Sequence, residues 1–295
     1  MNITQIHKFL FLIWLSATPL LSFASAEEPV DYYAPENVRK FADFLYEQGD
    51  YLRAADEYQR YLFYKPKDTE QIHYKIAVSY RFGGKTEQAI QGFETLLRTY
   101  PESQFASRAY YQIGATYFLM DQFDQSTRFL HEALPRITDT RQYAEAEQLI
   151  GLSYLKQKRW SEASEVFKTL QASDVMSIRE KAVLYHDYAE QGKHLSTRSP
   201  FLAGTLSTVV PGAGRLYTGR LGDALASLFT VGFTGWQAYD GFRRDGISSA
   251  KGWTLGTLCG IFYVGNIYGS VISARVYNRH VTEEFLATLT VELPY

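Results

Sequence analysis

The residues of this chain best suited to chemistry by type and spacing are three side chains near position 190. His186, Glu190 and His194 follow one another at intervals of four, so one helix would place two imidazoles and a carboxylate on the same face. Such a face can bind a divalent metal. Gly192 interrupts the interval close to an expected helix end, and scattered His and Glu are commoner on a solvated helix surface. We therefore predict no metal site here, and keep a zinc hydrolase as a third hypothesis.

Other catalytic signatures are weak or missing from the sequence. Cys259 is the sole cysteine, so it can form neither an internal disulfide nor a cysteine-rich metal site. The chain has no Gly-x-Ser-x-Gly nucleophile elbow, and Gly212-Ala213-Gly214 is not followed by the Gly-Lys-Ser/Thr of a phosphate-binding loop. The 30 Lys+Arg and 32 Asp+Glu give a net charge of -2, which argues against a nucleic-acid partner. The sequence thus predicts a chain that is not an enzyme and holds no cofactor.

The first 26 residues have the composition of a signal peptide. Lys8 precedes an apolar stretch from Phe9 to Leu21, and Ala24-Ser25-Ala26 is the small-x-small pattern that signal peptidase accepts. Cleavage after Ala26 would export the mature chain and leave residues 27–36 as a short lead-in. The alternative is an uncleaved anchor helix, although the apolar stretch is short for a full span.

A six-residue pattern recurs four times within residues 37–174, at successive offsets of 35, 37 and 37. Each copy marks a turn between two helices. The four copies begin at Gly49, Gly84, Asp121 and Lys158. Before the turns, small residues are expected where two helices cross: Ala42, Ala77, Gly114 and Gly151. After the turns, apolar residues take one register: Tyr58, Phe93, Leu130 and Phe167. Pro66 and Pro101 are expected to end the second helices of the first two units.

This pattern resembles the tetratricopeptide repeat, because several positions match at fixed spacing in all four units. The resemblance implies an all-α fold, in which each helix pair covers the apolar face of its neighbour and the pairs stack into a right-handed solenoid. Two departures from the repeat are Ser126 in place of the usual alanine and Pro135 away from its usual site. Residues 175–195 would supply a capping helix that closes the stack.

The resemblance also implies where a partner would bind. The first helices of such repeats line a concave groove, and aromatic and arginine side chains there suit recognition of a protein or peptide. The groove positions of the family fall on Arg39, Tyr46, Tyr74, Arg81, Arg108, Tyr111, Phe118, Gln148 and Leu155. The competing interpretation is that many of these side chains only pack between repeats.

Residues 196–295 differ in composition and predict a hydrophobic helical membrane domain. Residues 221–239 contain one charge and residues 252–274 contain none, and both lengths suit a helix that crosses about 30 Å of hydrocarbon. The polar residues 240–246 between them would make the pair a helical hairpin. The segment 199–217 resembles a proline-glycine signature at the head of small bacterial membrane domains of unassigned role. The alternative is that both helices form the buried core of a soluble domain.

Glycines in the second hydrophobic segment predict a close packing face. This strip consists of Gly252, Gly256, Gly260, Gly265 and Gly269. Glycines one helical turn apart let another backbone approach closely in lipid. The strip would therefore pack within the hairpin or, alternatively, against a second copy of the chain.

Together these features predict a scaffold or adaptor of the cell envelope. The solenoid would bind its partner on the periplasmic side, and the C-terminal hairpin would contact membrane lipid, with the inner membrane as the expected one. Residues 99–106 are similar to periplasmic repeat proteins that serve envelope assembly, whereas the charges that flank the two spans do not fix their orientation. The second hypothesis is a component of an oligomeric membrane transport or pore assembly, whose hairpins associate through the glycine strip.

Overall fold

The structure, a computed structural model, describes residues 31–65 and 70–291. The expected signal peptide and Pro66 lie outside these ranges. The described residues form thirteen α-helices and two short 3₁₀ turns, and no strand occurs among them. The all-α prediction is therefore confirmed.

The first eight helices form four pairs, each joined by a three-residue turn. The pairs are α1 Pro35–Glu47 with α2 Tyr51–Tyr64, α3 Glu70–Phe82 with α4 Thr86–Thr99, α5 Ala106–Leu119 with α6 Phe123–Ala133, and α7 Thr140–Lys156 with α8 Trp160–Leu170. The helix α9, Met176–Lys193, follows. The two helices of each pair contact each other, and each pair contacts the next. This arrangement is the helical-hairpin solenoid that the repeat predicts.

The four turns within the pairs share one backbone conformation. The middle residue of each turn has a left-handed φ, which is 79° at Gly49, 76° at Gly84, 57° at Asp121 and 64° at Lys158. Glycine adopts this conformation without steric cost, whereas a residue with a side chain loses about 1–2 kcal/mol. The turn positions predicted from the sequence are thus confirmed, and the last two units hold them without glycine.

Small residues let the two helices of a unit cross closely. A Cβ added at Gly114 would lie 2.4 Å from Leu130, and one added at Gly151 would lie 2.7 Å from the Phe167 ring. Both large side chains are fully buried. The equivalent residues of the first two units are fully buried as well: Ala42, Ala77, Tyr58 and Phe93. The predicted crossing residues therefore have the role that the repeat assigns to them.

The first helices of successive units contact one another along one side of the stack. α3 contacts α5, α5 contacts α7, and α7 contacts α9, so this side of the solenoid is its concave face. α9 buries Ile178, Ala182 and Ala189 within the core cluster of the last units. It takes the place at the end of the stack where a capping helix is expected.

Four further helices form the C-terminal part of the chain. They are α10 Pro200–Val209, α11 Ala213–Tyr217, α12 Leu221–Asp245 and α13 Ala250–Ala287. α12 and α13 form a helical hairpin, and α10 and α11 pack against α13. α13 has 38 residues and is about 57 Å long. It is therefore much longer than the roughly 30 Å that a membrane span requires.

The two hydrophobic segments differ more than the sequence predicted. Within the described ranges, α13 is the one helix with the length and composition of a membrane span, since an 18-residue window has a mean hydropathy of 1.4. α12 is helical throughout but less apolar, because Asp223, Ser227 and Thr234 interrupt it. Only 11% of the α13 window is buried, which does not fit the alternative of a soluble core. Of the two predicted spans, 221–239 and 252–274, only the second lies in a helix with the length and composition of a membrane span within the described ranges.

The interface between the C-terminal helices is polar and tightly packed. Asn266 of α13 accepts the N–H of Gly212 at 2.9 Å, and the Ser270 and Ser207 hydroxyls hydrogen-bond at 2.7 Å. Gly212 has a φ of 90°, and a Cβ there would lie 2.2 Å from the carbonyl oxygen of Ala224. The proline-glycine segment thus turns sharply against α12, and Asn266 of α13 and Ser207 of α10 accept the backbone N–H groups of Gly212 and Gly214.

The glycine strip of α13 is packed at its ends and open in its middle. An added Cβ at Gly252 would lie 2.7 Å from the Phe242 ring, and Gly269 lies against the guanidinium of Arg215. Gly256 is at ordinary contact distance from Phe242. No described atom lies within 4 Å of a Cβ added at the other two positions, Gly260 and Gly265. The strip is therefore not one continuous packing face within the chain.

The end of α13 returns to the solenoid. Phe285 stacks on Tyr188 of α9 with 4.2 Å between ring centroids, and it meets Trp160 of α8 edge-on at 5.7 Å. The Tyr188 hydroxyl donates to the Phe285 carbonyl at 2.5 Å. The Tyr185 hydroxyl donates to the carbonyl of Thr290 at 3.3 Å. One continuous helix therefore connects the apolar C-terminal region to the last repeat.

Candidate interaction site

The concave face of the solenoid carries a polar pocket of about 290 Å³. It lies between α3, α5 and α7, so the first helices of three successive units supply its wall. The wall combines two tyrosines, two arginines, two carboxylates and two side-chain amides. A pocket with this composition suits a polar ligand that both accepts and donates hydrogen bonds.

Two tyrosines are the most informative residues of this pocket. Tyr111 is 2% exposed, and its hydroxyl has no hydrogen-bond partner within the described part of the chain. Tyr74 stacks on Phe105 with 5.2 Å between ring centroids. Burial raises the pKa of both tyrosines, so both hydroxyls are protonated and able to donate. An unsatisfied buried hydroxyl costs about 1–3 kcal/mol, which a ligand that accepts from Tyr111 would recover.

A buried arginine links the walls of the pocket. Arg81 donates to the side-chain oxygen of Gln112, and its guanidinium lies 4.8 Å from the centroid of the Phe82 ring. The side chain of Gln112 also hydrogen-bonds Tyr74. Because Arg81 is only 7% exposed, its charge orients Gln112 and is not displayed at the surface.

The charged side of the pocket is formed by the first turns of α7. Glu145 is buried, and its two carboxylate oxygens accept from Arg141 Nε at 2.9 Å and from Gln142 Nε2 at 2.8 Å. The hydrogen bond and the charge of Glu145 raise the pKa of Arg141. Both oxygens of Glu145 are therefore occupied, whereas Arg108, on the facing helix, is exposed to solvent.

The loop before α7 fixes this charged side. The carboxylate of Asp139 accepts the N–H of Gln142 at 2.8 Å and caps the helix. The hydroxyl of Ser107 accepts the N–H groups of Thr138 at 3.2 Å and Asp139 at 3.4 Å. These bonds tie the loop to α5, so that Arg141 is held beside the pocket.

Four of the nine groove positions predicted from the sequence meet at this pocket. Tyr74, Arg108 and Tyr111 line it, and Arg81 adjoins it through Gln112. These four predicted positions lie on the second and third units of the solenoid, and α7 of the fourth unit completes the pocket.

The other five positions lie elsewhere. Arg39 is exposed and lies 4.0 Å from the carboxylate of Asp43, while Tyr46 packs against the rings of Tyr51 and Phe82. Three residues are buried: Phe118 at 7% exposure, Gln148 at 3% and Leu155 at 0%. Phe118 and Leu155 belong to the hydrophobic core. Phe118 and Leu155 are therefore packing residues, as the competing interpretation expects, whereas the groove assignment of Gln148 stays a prediction.

Five pocket residues were not predicted from the sequence. They are Gln112, Asp139, Arg141, Gln142 and Glu145. Two signals for them exist in the sequence, because an aspartate three residues before Gln142 is typical of a helix start, and arginine and glutamate four residues apart can pair on one helix face.

The histidine face near residue 190 is occupied by local hydrogen bonds. His186 Nδ1 lies 3.0 Å from the carbonyl oxygen of Ser164, and Glu190 accepts from Lys193 at 2.6 Å and from the Ser164 hydroxyl. The hydrogen bond from Lys193 lowers the pKa of Glu190 to about 2. His194 is the C-cap of α9, so it lies beyond the helix that carries His186 and Glu190. Among the described residues no group of three His, Cys, Asp or Glu side chains is arranged to hold a metal.

Comparison with known proteins gives one family match. Residues 72–103, which include most of α3 and all of α4, match the tetratricopeptide repeat. No curated protein matches the chain. This match and the helical-hairpin stack together show that the chain contains a solenoid of the tetratricopeptide repeat type.

Several solved structures are similar to parts of the chain. MamA from Desulfovibrio magneticus RS-1, from residue 41 to its end, is 15% identical, covers 54% of this chain and 95% of its own, and has a TM-score of 0.39. A second crystal structure of MamA is 19% identical, and the match covers 56% of this chain and 94% of that one, with a TM-score of 0.40. The C-terminal part of a TPR repeat-containing protein from Cytophaga hutchinsonii is 16% identical. The match covers 74% of this chain and 93% of that one, with a TM-score of 0.29.

Proposed function

We propose that this protein is a non-enzymatic scaffold of the cell envelope, which binds a protein or peptide through its solenoid and is anchored by its C-terminal helices. The pocket on the concave face carries the binding part of this proposal. Its buried Tyr111 hydroxyl has no partner within residues 31–65 and 70–291, and the exposed Arg108 lies at the same pocket. A peptide segment would satisfy both, because its carbonyl oxygens accept from hydroxyl and guanidinium donors.

The surface of the C-terminal helices supports anchoring. Large apolar side chains of α12 and α13 are exposed, including Phe229, Trp236, Ile261 and Val264. Contiguous apolar surface of this kind is typical of membrane or protein contact. In the proposed arrangement these side chains contact lipid, and the polar bonds around Asn266 and Ser270 hold the helices together. The composition of residues 1–26 and the repeat resemblance support export and a periplasmic solenoid at the inner membrane.

Affinity capture from membranes tests the binding surface. The full-length protein is purified in mild detergent alongside Arg108→Glu, which reverses a charge at the pocket. Arg98→Glu is the matched control, because Arg98 is also exposed but lies in the last turn of the outer helix α4. We expect a partner that co-purifies with the native chain and the control but is lost from Arg108→Glu. Equal recovery from both variants would refute binding at this pocket.

A second function, a component of an oligomeric transport or pore assembly, is favoured by one observation. Gly260 and Gly265 face open space within the described chain, as a helix surface that packs against a second copy would. A Gly265→Cys variant in a Cys259→Ser background tests this by crosslinking in membranes, with Gly222→Cys as the collision control. Discrete crosslinked oligomers that form with Gly265→Cys but not with Gly222→Cys would support the pore over the scaffold.

A further inference from the structure

Arginine side chains lie along one face of α13 where its apolar stretch ends. A Cβ added at Gly269 would lie 2.5 Å from Arg215 Nη2, so this guanidinium rests directly on the helix backbone. One turn further along, Arg220 Nη1 donates to the Ser273 hydroxyl at 3.4 Å. Arg215 lies in α11, and Arg220 is the N-cap of α12.

A third arginine continues this row. The guanidinium of Arg198 lies 5.5 Å from the ring centroid of Tyr277 and 5.1 Å from that of Tyr217. The contacted residues Gly269, Ser273 and Tyr277 are four apart, so the contacts follow one helix face at steps of about 6 Å. We call the three side chains the arginine ladder: Arg198, Arg215 and Arg220.

The arginine ladder carries more positive charge than its surroundings neutralise. Arg220 Nη2 pairs with the carboxylate of Asp223 at 2.5 Å. Arg198 Nε and Arg215 Nε are buried without a hydrogen-bond partner in the described part of the chain, and neither guanidinium there has an ion pair. Two guanidinium groups therefore lack a counter-ion among the described residues, and planar arrays of N–H donors of this kind match phosphate oxygens.

The depth of the ladder points to the membrane interface. Lys251 and Trp253 mark the other end of the apolar stretch, and a hydrocarbon thickness of about 30 Å corresponds to about 20 helical residues. Counting from Gly252 along α13 therefore places the opposite boundary close to Ser273. Charged side chains are costly in the hydrocarbon but favourable among headgroups.

We infer that the arginine ladder binds the phosphate of an anionic phospholipid headgroup. This inference rests on the proposed membrane anchoring. A lipid is favoured over free phosphate because Leu216 and Leu221, which directly follow Arg215 and Arg220 in sequence, expose more than half of their surfaces. These apolar side chains would contact the acyl chains of the same lipid, whereas an inorganic ion has no apolar part for them to contact.

Native mass spectrometry of the full chain in neutral detergent micelles tests the inference. The protein is titrated separately with phosphatidylglycerol, phosphatidylcholine and inorganic phosphate. We expect tighter binding of phosphatidylglycerol than of phosphatidylcholine, and an approximately fivefold loss of that binding in Arg215→Gln, which removes one interfacial charge. Arg243→Gln, which removes an exposed charge near the hairpin connection, is the matched control and should bind like the native chain.

Three results would overturn the lipid site. These are equal binding of the two phospholipids, equal loss in Arg215→Gln and Arg243→Gln, and displacement of phosphatidylglycerol by inorganic phosphate at comparable concentration. Arg215→Lys keeps the charge but loses the planar N–H array, so it should bind phosphatidylglycerol less tightly than the native chain, and it provides the test if Arg215→Gln does not fold. Failure of the chain to insert into vesicles of either lipid would instead refute the membrane anchoring on which the site rests.

Discussion

The crossing of α5 and α6 gives a quantitative test of the repeat packing. A methyl group added at Gly114 would lie 2.4, 2.5 and 2.8 Å from three carbon atoms of Leu130. Leu130 is fully buried, so it cannot move aside without displacing other core residues. We expect Gly114→Ala to destabilise the fold by about 1–3 kcal/mol through overpacking. Helix propensity alone predicts that Gly114→Ala stabilises the fold, because alanine is more favourable in a helix than glycine by about 1 kcal/mol.

A double-mutant cycle separates these two effects. Leu130→Ala alone should cost about 2–5 kcal/mol because it leaves a cavity. In the double variant the methyl group of Ala at position 114 occupies part of that cavity, so the combined cost should be smaller than the sum by about 1 kcal/mol or more. Denaturant unfolding of the full chain in neutral detergent, followed by far-UV circular dichroism, measures the four free energies. Gly232→Ala is the control, since no described atom lies within 4 Å of the added Cβ. A neutral or stabilising Gly114→Ala, or strict additivity, would refute the packing argument.

Three further predictions concern the turns, the solenoid end and acid stability. Gly84→Ala should destabilise the fold by about 1–2 kcal/mol, whereas Lys158→Gly should stabilise it by up to about 1 kcal/mol, because both turns need a left-handed φ; equal signs in thermal unfolding would contradict this. Phe285→Ala removes two aromatic pairs and should weaken the contact of α13 with the solenoid by about 1–3 kcal/mol, seen as faster amide exchange at the end of α13; unchanged exchange would contradict it. Burial raises the pKa of Asp43, but hydrogen bonds from Lys75 and Tyr58 more than offset it and the net pKa is lowered. This carboxylate therefore stabilises the fold above its ordinary pKa and ceases to do so as the pH falls through the lowered value, so Asp43→Asn should reduce the melting temperature at neutral pH and have a smaller effect in acid.

The solenoid was predictable because its determinants are local. The turn at Gly49 and the crossing at Gly151 depend on residues within one helix pair, and their spacing repeats through the sequence. The same periodicity assigns a residue to a helix face but not the tilt of that helix. Leu155 was therefore placed in the groove, although the structure buries it completely.

The pocket and the C-terminal contacts depend on longer-range geometry. Glu145 reaches the pocket only because the loop before α7 is tied to Ser107 of the preceding unit, and no helical periodicity encodes that tie. Likewise, Phe285 meets Tyr188 across about a hundred residues of sequence. The hairpin itself was visible as two apolar segments, but the extension of α13 back to the solenoid was not.

Extraction of membranes that contain the full-length protein tests most directly whether the C-terminal helices anchor the solenoid. Washing with alkaline carbonate and then with high salt removes peripheral proteins but leaves inserted helices in place. Because the α13 window has a mean hydropathy of 1.4 and is only 11% buried, we predict that the intact chain remains in the membrane pellet and is released only by detergent. Release of the intact, folded chain into the carbonate or salt wash would contradict a membrane-anchored scaffold.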